Sequence, residues 1–90
     1  MKKVISAKAE DNFTLVLKFD DVTLKRFDAK PYLEIGIFKE LKNPNYFKNF
    51  QIAFGTVQWE NEQDFSPDTL YLESVPVNEN EFSSNFEKVL

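Results

Sequence analysis

The sequence predicts an α+β domain: an antiparallel three-stranded meander, one helix, a second hairpin and a short helix in a single compact unit. Three observations carry that expectation. Apolar residues alternate at period two over 13–19, move to helical spacing over 33–41, and return to short extended runs after Phe50. A chain of 90 residues has room for one core. At that size roughly 64% of the unfolded surface is buried, enough for a lone domain. Hydrophobic residues make up 42% and aromatics 16%, with ten Phe, so the composition is that of a core-forming chain.

The elements follow in order. Val4–Ala9 reads as a first strand, and Glu10-Asp11-Asn12 as a polar turn. Phe13, Leu15, Leu17 and Phe19 share one face of a second strand, the strongest periodic signal in the chain. Asp20-Asp21 is the next turn. A two-residue hairpin needs positive φ at its second position, which Asp21 tolerates less well than Gly, so a longer loop or a bulge is expected. Val22–Phe27 is the third strand, and the meander is expected to bury one face. Leu33, Ile37, Phe38 and Leu41 then fall on a helical stripe, with Pro31 suited to its first turn and Asp28 able to cap from upstream. Gly36 lies inside that helix and implies close backbone approach to the sheet. Asn43-Pro44 ends it, and Asn45–Lys48 adds one turn with Phe47 inward.

Phe50–Ala53 and Thr56–Trp59 form the second hairpin, with Gly55 taking the positive φ of its turn. After a polar loop, Ser66 caps a short helix, Pro67 occupies its first position and Asp68 favours its positive end. Leu72–Val77 is extended, and Pro76 marks it as edge. The domain is expected to span 1–77. Residues 78–90 read as an amphipathic helical extension: Asn78 and Glu81 form a capping pair, and Phe82, Phe86, Val89 and Leu90 recur at helical spacing. That stripe is the candidate surface for a partner chain or for a homodimer.

Absences narrow the function. Without Cys or His there is no disulfide, thiolate nucleophile, imidazole base or His metal ligand. Net charge is −4 with scattered basic residues, so no direct nucleic-acid binding is expected. No apolar run approaches the roughly 20 residues of a membrane span, and no apolar stretch follows Met1-Lys2-Lys3, so a cytoplasmic address is expected. Glu60, Glu62 and Asp64 alternate, but the Gly and later ligands of a calcium loop are missing. No cofactor, metal or catalytic residue is expected, and the protein reads as a non-enzyme.

One constellation remains: Trp59, Asn61, Asp64, Asp68 and Tyr71, with Ser66 beside them. As a ligand site, Asp64 and Asp68 would pair, Asn61 would donate and Trp59 would stack. Pro67 starts a helix between the two aspartates, which weakens their pairing. As structure, Trp59 and Tyr71 fill the core, Asn61 makes a turn, Asp64 holds loop amides, and Ser66 and Asp68 cap the short helix. The structural reading is favoured. Tyr32, Tyr46, Phe50 and Phe65 are aromatics that a simple core assignment leaves over.

Three runs carry a resemblance. They are Phe27-Asp28-x-x-Pro31-x-Leu33-x-x-Gly36-x-Phe38-x-x-Leu41, then Asn43-Pro44-x-x-Phe47, and Gly55-Thr56-Val57-x-Trp59-x-Asn61-x-x-Asp64-x-x-Pro67-Asp68-x-Leu70-Tyr71. Over roughly residues 4–73 the chain resembles a small bacterial family, domain of unknown function 2442. The resemblance implies a compact α+β domain and a prokaryotic, cytoplasmic setting, often beside a second small protein in a toxin–antitoxin-like pair. Some members carry a helix-turn-helix after this domain, where this chain has the 78–90 extension. Asp20-Asp21 stands where Asp-Gly is common, and Glu62 where a Gly commonly follows the Asn. The expected function is a non-catalytic protein-interaction module, antitoxin-like or regulatory. The alternative is a small-molecule ligand domain with the Trp59–Tyr71 loop as part of its site.

Overall fold

A computed structural model describes residues 2–81, 88 and 89. Strands β1 (Val4–Ala9), β2 (Thr14–Phe19) and β3 (Leu24–Asp28) form the meander. Two additions widen it: β6 (Val75–Pro76) pairs with β3, and β7 (Lys88–Val89) pairs with β1. The result is a five-stranded antiparallel sheet in the order β6-β3-β2-β1-β7. A separate hairpin joins β4 (Gln51–Ala53) to β5 (Thr56–Gln58). Pro76 takes an edge, where its missing donor is harmless.

Alternation in β2 builds the inner face. Leu15, Leu17 and Phe19 are fully buried, and Leu15 faces Phe27 across the ladder. β1 does not alternate, because its register against β2 slips between Val4 and Ser6. That bulge lets Val4 and Ala7, three apart, both be buried. The meander was expected to bury one face only. In the structure Val16 is also fully buried, on the opposite face, flanked in register by Lys8 and Arg26. Arg26 grips Glu10 through two bonds of 2.8 and 3.1 Å, and the Thr14 hydroxyl donates to the same carboxylate at 2.6 Å. A charged lattice thus spans that face.

The single helix expected over 31–42 is replaced by two 3₁₀ segments, Lys30–Tyr32 and Gly36–Lys42. The break has a local cause: Ile35 is extended and Gly36 takes φ 46°. Gly36 does not mark close approach to the sheet, since an added Cβ would meet nothing within 4 Å. Its role is backbone freedom. A 3₁₀ turn aligns residues three apart, so Phe38 and Leu41 turn inward while Ile37 is 66% exposed. Asp28 accepts from Lys30 N, the expected upstream cap. Helix α1 (Pro44–Lys48) is capped by Asn43, and Phe47 is buried. Helix α2 (Pro67–Glu73) begins as its sequence requires, with Ser66 Oγ accepting from Thr69 N at 3.0 Å.

The core lies between the inner sheet face and the α1, β4–β5 and α2 segments. Phe19, Phe27, Phe47 and Trp59 are its largest fully buried members, and Leu70 joins them from α2. Phe50 and Phe65, left over in the sequence, belong to it, and Tyr32 and Tyr46 pack against it. The helix expected over 78–90 is not found in its described part. Glu79–Glu81 is a 3₁₀ turn, and Lys88–Val89 is strand β7. Of the stripe, Val89 is 67% exposed, while Phe82, Phe86 and Leu90 lie outside the described residues.

Candidate functional site

The five sequence-predicted site residues go to separate places. Trp59 is 1% exposed, and its indole N–H donates to Phe47 O at 2.8 Å while its ring stacks on Phe47. Asn61 sits at the tip of a tight loop in which Glu62 N donates to Trp59 O and Trp59 N donates to Gln63 O. Its side chain donates to Glu40 at 2.7 Å. Asp64 is exposed and its backbone bridges Gln58. Asp68 is exposed in the first turn of α2, where a carboxylate suits the positive helix end. Tyr71 faces away toward the β2–β3 turn. Its ring meets Phe19 edge-on, lies 4.0 Å from Lys25 Nζ, and its hydroxyl points to Asp21 at 3.4 Å.

What the loop organises is a polar knot centred on a residue that sequence reasoning missed. Gln63 is 2% exposed. It accepts from the Tyr46 hydroxyl at 2.6 Å and donates to Ile37 O and Glu40 at 3.1 and 2.9 Å. Tyr46 Oη in turn accepts from Asn61 N at 2.9 Å. Hydrogen bonds from Asn61, then Gln63, hold the Glu40 carboxyl below its ordinary 4.5. The knot fastens the 59–63 loop to the second 3₁₀ segment and to α1. Among the described residues, every buried side-chain nitrogen and oxygen has a partner. No group of three metal-ligating residues occurs among them either.

Two solvent-open concavities among the described residues are lined by other parts of the chain than the Trp59–Tyr71 stretch. The larger, ≈ 600 Å³, is lined by Lys8, Ala9, Glu10, Asp11, Lys48, Phe50 and Lys88. The smaller, ≈ 470 Å³, is lined by Lys18, Val22, Leu24 and Glu79.

Phe54 is the outlying surface residue. It is 87% exposed at the tip of the β4–β5 hairpin. Phe54 and Gly55 take φ 55° and 75°, the two positive values of a type I′ turn. That turn prefers Asn or Asp at the first place, so Phe here is disfavoured by both backbone and solvent. A Phe-Gly pair between two short β runs was the available signal. The sequence reading assigned the strain to Gly55 alone.

No curated protein and no solved structure gives a significant match. No helix among the described residues is long and apolar enough to cross a membrane. The family model described as protein of unknown function (DUF2442) matches residues 4–76, ending at β6 and leaving β7 outside. Since that match covers most of the chain, this protein belongs to the DUF2442 family.

Proposed function

We propose that the protein is a non-catalytic interaction module that binds a partner protein, as the regulatory, antitoxin-like member of a two-protein pair in a prokaryotic cytoplasm. Phe54 carries the reading. An aromatic ring at a turn position that favours Asn, 87% exposed, is the residue type that dominates binding energy at interfaces. Other large apolar side chains stand exposed as well, Ile37 and Leu72 among them. Co-expression with the product of the adjacent gene, followed by size-exclusion chromatography, tests it. Co-elution is expected, and Phe54→Asn is expected to weaken it. Two folded chains that elute separately would contradict the proposal.

A second copy of the chain is the other candidate partner, through the tail. Of the four tail residues expected to make that contact, Val89 is described and is 67% exposed. Light scattering on the chain cut after Val77 rejects this version if the mass per particle does not fall. A small-molecule site walled by the Trp59–Tyr71 loop has less support, because the Trp59 ring is enclosed and Lys25 covers the Tyr71 ring. A thermal-shift screen with an unambiguous hit would revive it: ligand at 100 times its Kd adds about 2.7 kcal/mol.

A further inference from the structure

The larger concavity gathers cations in an acidic protein. Lys8 comes from β1, Lys48 from the end of α1 and Lys88 from β7, beside Ala9 and an edge of Phe50, which is otherwise buried. Lys88 Nζ donates to Phe50 O at 2.8 Å and lies 5.1 Å from that ring's centroid. Lys48 pairs with Asp11 at 2.8 Å, and the Asp11 side chain is 97% exposed. Glu10 is held from behind by Arg26. The charged lining residues are thus three lysines (Lys8, Lys48, Lys88) against two carboxylates (Glu10, Asp11), with Arg26 pairing Glu10 from outside, in a chain of net charge −4. Lys88 lies beyond the residues matched by the family model, so this chain's extension adds it.

We infer that this concavity docks an acidic, extended segment of the partner polypeptide, its carboxylates meeting Lys88 and Lys48 and an apolar side chain resting on Ala9 and the aliphatic stems of the lysines. The inference rests on the interaction reading and names its chemistry. Charge complementarity selects an acidic occupant. Ala9 and the lysine methylenes favour a peptide over a bare inorganic anion, and the chain's net negative charge disfavours nucleic acid. The exposed Lys48–Asp11 pair is weakly held, so an incoming carboxylate displaces Asp11 readily.

The test is fluorescence anisotropy of a labelled Glu-rich peptide containing one Phe, titrated with the full chain. Saturable, salt-sensitive binding is expected. Lys88→Gln and Lys48→Gln should each weaken it about threefold, the range of exposed ion pairs. Asp11→Asn should strengthen it by releasing Lys48, a gain that a purely structural role would not give. Absence of saturable binding, indifference to all three substitutions, equal competition by inorganic phosphate, or equal affinity for an oligonucleotide would each overturn the inference. An adjacent-gene complex that forms but ignores Lys48→Gln and Lys88→Gln sinks this inference and spares the interaction reading. Lys88-dependent peptide binding without any such complex does the reverse.

Discussion

At the residue scale, one backbone device recurs three times. The loops starting at Glu10, Phe19 and Trp59 each close with the first residue's N–H donating to the carbonyl of the fifth. In each the fourth residue has positive φ: Phe13 63°, Val22 61° and Glu62 69°. Those places suit Gly, because an L side chain there crowds the following carbonyl. Val22 is 72% exposed and Glu62 is exposed, so neither gains packing in return. Val22→Gly and Glu62→Gly are each expected to stabilise the protein by about 0.5–1 kcal/mol, net of glycine's extra chain entropy. A urea midpoint that rises with unchanged slope would show it. Phe13→Gly should destabilise instead, since that ring packs edge-on against Phe47 at 5.4 Å. The sequence placed the first hairpin's awkward φ on Asp21, one residue early. Because Asp21 tolerates that φ poorly, the sequence points to a longer loop or a bulge, and the longer loop that forms carries the positive φ at Val22. Gln63→Ala is expected to cost about 2–3 kcal/mol, by leaving Ile37 O, Tyr46 and Glu40 without their bonds. Nothing in the sequence marks Gln63, because a lone Gln in a polar loop looks like solvent-facing filler.

At the element scale, legibility tracked how much each element depends on its neighbours. β1, the Ser66-Pro67 start of α2 and the β4–β5 hairpin are written in local residue types, and the structure has them where expected. The 31–42 stretch was misread because spacings of four and eight suit an α-helix while Gly36 and Ile35 break it. In the tail four apolar residues fit helical spacing, yet the described pair Lys88–Val89 answers to the edge of β1, while Phe82, Phe86 and Leu90 lie outside the described residues. The outer sheet face makes a pH prediction. Hydrogen bonding to Arg26 holds the Glu10 carboxyl below its ordinary 4.5, and partial burial opposes this only in part. A carboxyl lowered on folding contributes stability that is present above its unfolded pKa and lost as pH falls through the folded one. Denaturation midpoints should therefore fall as pH drops below the ordinary carboxylate range. Glu10→Gln should lower stability at neutral pH and flatten that acid limb. An unchanged limb would show that the Arg26 pair is not its source.

At the scale of the whole molecule, a short chain divides its residues between an interior that holds the fold and a rim on which the proposed recognition would rest. The run from Trp59 to Tyr71 carries the family signature, yet it resolves into a core ring, a loop tip, a helix start and a cover for the β2–β3 turn. Those roles follow from where the side chains end up, which no spacing rule states. The rim is harder to read, because Phe54 and the Lys8–Lys48–Lys88 group are assembled by turn geometry and by long-range pairing. One substitution separates the two. Phe54→Asn suits the type I′ turn and removes an exposed ring, so the melting temperature should rise while partner binding falls. Isothermal titration of the adjacent gene's product against the wild type, Phe54→Asn, Asp64→Asn and Asp68→Asn decides the matter. The account predicts at least about tenfold weaker binding for Phe54→Asn and wild-type affinity for the two aspartate variants. Full affinity in Phe54→Asn, with loss in either aspartate variant, would contradict it.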